Sequence, residues 1–163
     1  LSKLEQQRID LGLVAEPKPQ KNIVFIPITQ IEDIFAATPS YLENLSLREG
    51  GDSNIFQSGN IMLLDKNNVT RNYIDEYMSL HQITVNNYLE VTTMDLLIEF
   101  ARIGLGIGCV IKEFVKEDLE QGKLIQLPLE PPIRKRTVGF VYHSGRTTRA
   151  LETFLDYCKE THL

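Results

Sequence analysis

The sequence predicts an α/β fold, and three observations carry that expectation. Short apolar runs alternate along the chain with amphipathic segments of helical period, as "IMLLD" (61–65) and then "NVTRNYIDEYMSLHQI" (68–83) do. The connections between apolar runs are too long for hairpins, which favours a mostly parallel sheet with helical crossovers. Gly104, Gly106 and Gly108 stand between an apolar helix-like stretch and an apolar strand-like run, the order of a helix closing onto a strand. A length of 163 residues with 42% apolar content suffices for one compact unit or for two small lobes sharing a hinge.

Taken in order, Leu1–Gln7 reads as a helix tail and Asp10–Val14 as a strand stopped by Pro17 and Pro19. "NIVFIPI" suits a strand covered on both faces, with Pro27 near its end or at an edge because it donates nothing to a ladder. "IEDIFAATPSYLEN" offers a strand or a short helical stretch up to Thr38, after which Pro39 fits the first turn of a helix. "LREGGDSNIFQSGN" reads as a polar loop or a crossover between lobes.

After the "IMLLD" strand, Ile74, Tyr77 and Met78 recur at spacings of three and four. Their apolar side serves equally as an oligomer surface or as packing against its own lobe. "VNNYLEV" makes the next strand, and Thr92 is placed to cap the following helix with Asp95 in a capping-box position. Asp95, Glu99 and Arg102 share one narrow stripe of that helix, so it is expected to be mostly buried. A helix over Lys112–Gln121 stops at Gly122. "LIQLPL" and "RTVGFVYH" follow as strands, and Thr148 opens a last helix with Leu151, Phe154, Leu155 and Cys158 on one side.

Function classes narrow by exclusion. Seventeen basic against twenty-two acidic residues give a net charge of -5, so this chain offers no general attraction to a phosphate backbone. Cys109 and Cys158 stand far apart, which suits reduced cytoplasmic thiols better than a disulfide scaffold. No uncharged run is long enough to span a bilayer, so no membrane partner is expected. His81, His143 and His162 lack ligand-like spacing to each other or to the cysteines, and no nucleophile elbow or acid–base pair stands out. No metal, no cofactor and no enzyme activity are expected.

The glycine triplet invites a dinucleotide reading, but its order relative to strand and helix is reversed; a left-handed helix stop at Gly104 followed by close backbone approach accounts for it. The helix start at Thr92 and Thr93 serves either as a simple cap or as a contact for a small anionic or polar ligand. "SGRTTR" (144–149) and "RKR" (134–136) read as a solvated turn and a solvated loop, the first with some capacity for anions.

The stretch "LEVTTMDLLIEFARIGLGIGCVI" resembles the helix and following strand of the effector-binding domain of LysR-type transcriptional regulators. "LEQQRIDLGLV", "FVKEDLEQGKLIQLPL" and "TVGFVYHSGRTTRALETFLDYC" resemble other elements of that domain in the same order. The resemblance implies two Rossmann-like α/β lobes joined by crossover strands, a type 2 periplasmic-binding-protein-like fold whose first lobe is incomplete at its amino end. Lobe I would comprise 1–56 and 136–163 and lobe II 57–135. It further implies a small effector bound between the lobes and self-association as a dimer or tetramer. Promoter DNA would be contacted only through an N-terminal winged helix-turn-helix outside this sequence. Carried onto this chain, effector contacts fall on Thr92 and Thr93, with Thr38, Ser40, Tyr41, Ile107 and Cys109 as further candidates and Cys109 chiefly a buried thiol. The competing expectations are a solute-binding protein of a transport system and an enzyme on a similar scaffold.

Overall fold

A computed structural model describes residues 1–49 and 54–160 of the chain. The chain divides into two compact units, one formed by Leu1–Ile31 with Lys135–Leu163 and the other by Glu32–Arg134. The boundary therefore falls at Ile31/Glu32 and not near residue 56, and the lobe limits expected from sequence shift accordingly. The physical reason lies in the strand Asp33–Ala37, whose five residues are all buried against the second unit's sheet.

The first unit holds a short helix α1 (Ser2–Glu5), strands β1 (Leu11–Ala15), β2 (Ile23–Ile31) and β8 (Arg136–His143), and helix α7 (Arg149–Glu160). Its three strands lie in the order β1-β8-β2, antiparallel throughout. Pro27 sits on edge strand β2, where the ladder slips between Pro27 and Thr29, as a residue without an N–H requires. Much of that strand is only half-buried, so it is an edge and not a strand covered on both faces. Leu151, Leu155 and Cys158 of α7 are buried, and Phe154 meets Phe140 of β8 edge-to-face at 5.2 Å.

The second unit is a five-stranded mixed sheet between two helical layers. Its strands are β3 (Asp33–Ala37), β4 (Asn60–Leu64), β5 (Asn87–Val91), β6 (Ile107–Ile111) and β7 (Ile125–Gln126), in the order β5-β4-β6-β3-β7. β4 runs parallel to β5 and β6, whereas β3 is antiparallel to β6 and β7. The mostly parallel sheet read from connection lengths thus holds only for the β5-β4-β6 core. Helices α2 (Pro39–Glu49), α3 (Ile55–Ser58) and α4 (Val69–Leu80) cover one face; α5 (Met94–Arg102), a 3-10 turn (Lys112–Val115) and α6 (Lys116–Glu120) cover the other. β4 shows why its run is continuously apolar: Ile61 and Leu63 enter one core, Met62 and Leu64 the other. In the "LREGGDSN" stretch, α2 extends through Glu49, and residues 50–53 lie outside the described residues.

Two glycines set the α5–β6 junction. Gly104 has φ +75°, the left-handed stop that sequence order anticipates. A Cβ on Gly108 would lie 2.9 Å from Leu97 Cδ2 and 3.2 Å from Ala101 Cβ, so the missing side chain lets α5 settle directly on β6. Only Leu97, Ile98 and Ala101 of α5 are buried, while Leu96 and Ile103 are exposed. The helix is half-buried, not mostly buried, because α5 lies on the outside of a single sheet face.

Candidate functional site

The carboxyl ends of β4 and β5 lie side by side, with Leu64 opposite Val91, and each strand feeds directly into a helix. From β4 the chain departs through α4 to β5 on one side; from β6 it continues to β7 at the far side of β3. In open α/β sheets such a divergence marks the edge beyond which ligands bind.

Local sequence chemistry builds this edge. The Asp65 N–H donates to Val91 O (3.1 Å), tying the two strand ends together. Asp65 Oδ1 accepts from the Asn67 N–H (2.9 Å), and Asn68 Oδ1 caps α4 by accepting from the Thr70 N–H (2.9 Å). At α5 the cap is Thr93, whose Oγ1 accepts from the Leu96 N–H at 3.4 Å. Thr92, expected as the cap, stands one residue outside the helix with an exposed side chain, and Asp95 is consequently a first-turn residue and not the capping-box partner.

Beneath the edge lies Arg71, only 5% exposed. Its Nε donates to Asp75 (2.7 Å), its Nη1 donates to Leu64 O (2.8 Å) and Glu90 (3.2 Å), and the guanidinium lies 5.2 Å from the centre of the Tyr88 ring. Burial opposes its charge, but hydrogen bonding to and attraction by Asp75 and Glu90 outweigh that and hold it protonated above the ordinary arginine range. The residue thus fastens the first turn of α4 to the end of β4 and to β5.

The expected site residues do not gather at one place. Thr92 and Thr93 stand exposed at the carboxyl edge. Thr38, Ser40 and Tyr41 belong to the same unit but to the opposite end of the strands, because β3 runs antiparallel to β6 and finishes beside its start. There Thr38 Oγ1 accepts from the Tyr41 N–H (3.2 Å) and shares a hydrogen bond with Ser40, so it opens α2; Tyr41 Oη accepts from the Asn60 N–H (2.8 Å). Thr38 and Ser40 line an open depression of about 650 Å³ together with Arg102, Asp118 and Lys123. Arg102 is held above the ordinary arginine range by the hydrogen bonds it donates to Asp118 and Glu99. Ile107 and Cys109 are buried in the sheet, Cys109 beside a small void that Leu64, Thr70 and Arg71 also line; Cys109 and Cys158 form no disulfide.

Ile74, Tyr77 and Met78, 1%, 8% and 8% exposed, belong to the core between α4 and the sheet, so the oligomer-surface reading gives way to packing within their own unit. Sequence reasoning passed over Asp65, Asn67, Asn68 and Arg71. The signal was present in "LLDKNNVTR", where turn-forming Asp and Asn follow a buried strand and precede a helical period. "SGRTTR" forms a turn and a helix start, with Thr148 Oγ1 accepting from the Leu151 N–H and Arg146 donating to Glu5 O. Among the described residues no cluster of three or more His, Cys, Asp or Glu could hold a metal, and His162 lies outside them. Among the same residues no helix is long and apolar enough to cross a membrane.

Comparison with known proteins now decides the family, for residues 1–162 match the model of the LysR substrate binding domain. The chain belongs to that family. It is an effector-binding regulatory domain of the LysR type. An uncharacterized HTH-type transcriptional regulator of Escherichia coli, YeiE, is 25% identical over 154 residues, covering 93% of this chain and 51% of its own length. The LysR-type domain thus spans about half the length of the curated relatives it matches. The regulatory domain of HypT from Salmonella typhimurium shares its fold with a TM-score of 0.81 at 13% identity, over 98% of this chain and 75% of that one. Full-length LysG from Corynebacterium glutamicum, solved with bound effector Arg, aligns with a TM-score of 0.73 at 17% identity, over 95% of this chain and 51% of that one. These structures confirm the mixed α/β, two-lobed, periplasmic-binding-protein-like fold expected from the sequence.

Proposed function

We propose that this LysR-type domain senses a small polar metabolite at the carboxyl edge of β4 and β5 and that occupancy alters promoter binding by the protein that carries it. The observation that supports this reading is the pairing of two helix starts, capped by Asn68 and Thr93, on adjacent parallel strands, with the exposed Thr92 and Thr93 hydroxyls beside them. Such an edge favours a ligand bearing hydrogen-bond acceptors, a carboxylate for instance. Asp65 and Asp95 flank it, so its field is not strongly positive, and a ligand that also carries donors is better matched than a bare anion. Arginine, the effector bound to the LysG relative, has both kinds of group.

Promoter contact belongs to a winged helix-turn-helix outside this sequence, and self-association as a dimer or tetramer is the route by which occupancy reaches it. A metabolite achieves this only by binding one arrangement more tightly than another, and a coupling of about 1–3 kcal/mol is the usual scale. A solute carrier for a transporter is the less favoured reading, because the relatives are regulators.

The test uses the full-length protein, a metabolite panel that includes arginine, and promoter DNA. Calorimetry should find a binder whose affinity falls about tenfold or more when Thr92 and Thr93 are both replaced by alanine, the loss expected from about one or two hydrogen bonds. Promoter affinity without metabolite should stay the same. Unaltered metabolite affinity in a folded double variant rejects the edge as the binding site.

A further inference from the structure

The depression of about 650 Å³ lies at the end of the second unit's strands opposite the carboxyl edge, and every residue lining it belongs to that unit. Thr38 and Ser40 at the start of α2, Arg102 in the last turn of α5, and Glu117, Asp118 and Lys123 on and just after α6 supply its polar groups. Helix α5 keeps the two places apart. Thr93 caps its start at the carboxyl edge, and Arg102 closes it about 14 Å further along the axis.

Arg102 is already committed: its Nε and Nη2 donate to Asp118 Oδ2 (3.1 and 2.8 Å), and its Nη1 donates to Glu99 (2.6 Å). Asp118 is only half used. Its side chain is 9% exposed, and while Oδ2 accepts both bonds from Arg102, Oδ1 accepts none from the described residues. No fully buried side-chain oxygen among those residues lacks a partner, so Oδ1 reaches the open space of the depression. A carboxylate oxygen held this deep without a donor is an exception in folded proteins, and a charged donor entering the depression would satisfy it. Among the described residues, Glu117 has no basic partner and Lys123 no acidic one, and both are exposed. Ser40 is exposed as well, its hydroxyl sharing one hydrogen bond with Thr38.

Charges of both signs therefore face the depression, Asp118 and Glu117 against Arg102 and Lys123. A bare anion would meet the carboxylates and a bare cation the basic groups, whereas a molecule with an ammonium and a carboxylate on a short skeleton finds a partner for each. We propose that this depression is a ligand site separate from the carboxyl edge and that it takes a free α-amino acid. Asp118 Oδ1 and Glu117 accept from the ammonium, and Lys123 Nζ and the Ser40 hydroxyl donate to the carboxylate. Nothing in this assignment depends on what binds at the carboxyl edge.

The experiment uses the full-length protein and saturation-transfer difference NMR, with the proteinogenic α-amino acids as probes. The strongest binder is then compared with its methyl ester, its N-acetyl derivative and inorganic phosphate. Parent, Lys123→Ala, Asp118→Asn and Lys116→Ala are each measured with and without Thr92→Ala and Thr93→Ala, so that loss at the depression and loss at the carboxyl edge are read apart. Lys116 lies on α6 but does not line the depression, so its variant controls for the change in charge. At least one amino acid should bind, with affinity about fivefold weaker in Lys123→Ala and in Asp118→Asn, the factor for one lost polar contact. Lys116→Ala and the two threonine replacements should leave that binding unchanged, and the ester and the N-acetyl derivative should each bind about fivefold more weakly. Asp118→Asn also loosens Arg102; if its melting temperature falls steeply, Lys123→Ala, at an exposed position, decides alone. The proposal is overturned if no amino acid binds, if Lys123→Ala binds as the parent does, if only the threonine replacements weaken binding, or if ester or phosphate binds as tightly as the amino acid.

Discussion

Replacing Arg71 by alanine should lower the stability of the protein by about 3 kcal/mol, and the figure follows from contacts of unequal worth. The hydrogen bond from Nη1 to the buried Leu64 carbonyl is charge-assisted and shielded from water, worth about 1.5–3 kcal/mol. Asp75 and Glu90 are 42% and 39% exposed, so water screens both pairs and each adds at most about 1 kcal/mol. The guanidinium against the Tyr88 ring adds about 0.5–1 kcal/mol. Lysine at this position keeps the charge but presents one nitrogen where the fork of arginine reaches three acceptors, so Arg71→Lys should recover less than half of the loss. Urea unfolding of the parent, Arg71→Ala, Arg71→Lys, Asp75→Ala and Glu90→Ala supplies the comparison, read as shifts in midpoint at constant slope. The reasoning requires each carboxylate variant to cost well under half of Arg71→Ala. If Asp75→Ala or Glu90→Ala alone matches it, surface attraction and not the Leu64 bond holds this junction, and a loss below about 1 kcal/mol for Arg71→Ala refutes the account.

Three further outcomes follow from the same structure. Gly108→Ala should cost about 1–3 kcal/mol by driving a methyl against Leu97 and Ala101, whereas Gly122→Ala, at φ +67° but with open space around it, should cost only about 1 kcal/mol of backbone strain; thermal melts of both variants give the ranking. Thr93→Ala should lose about 0.5–1 kcal/mol with its cap, the lower part of the usual range because the bond is long, and Thr92→Ala almost nothing; equal losses in urea unfolding would contradict the cap assignment. Burial, reinforced by Glu130, raises the Tyr77 hydroxyl above the usual tyrosine range. The folded state therefore holds that proton more tightly than the unfolded chain. Its contribution is complete below about pH 10 and declines as pH climbs through the raised value. Tyr77→Phe should lose about 1 kcal/mol at pH 8 with the bond to Pro131, and its deficit should shrink at pH 11 in urea unfolding.

Much of this was legible in the residues. The period of Ile74, Tyr77 and Met78 marked α4, the continuous run at Ile61–Leu64 marked a buried strand, and the position of Gly104 after an apolar helix marked a left-handed stop. Each depends on spacing within a few residues, which local backbone geometry and side-chain direction suffice to interpret. The order of such segments along the chain was also enough to carry the resemblance to the LysR family.

What pattern alone left open was set by partners distant in sequence. Nothing local to "DIFAA" states that it runs antiparallel to β6, yet that direction places residues 32–56 in the second unit and sends Thr38 and Tyr41 to the end of the strands opposite Thr92 and Thr93. Periodicity likewise shows that α4 has an apolar side without saying what covers it; the sheet does, and Ile74, Tyr77 and Met78 become core. The sequence by itself determined which segments form helices and strands, because those preferences are short-ranged. Only the tertiary structure decided which ends of them meet, because strand direction and register are fixed by hydrogen bonds and packing between residues far apart in the chain.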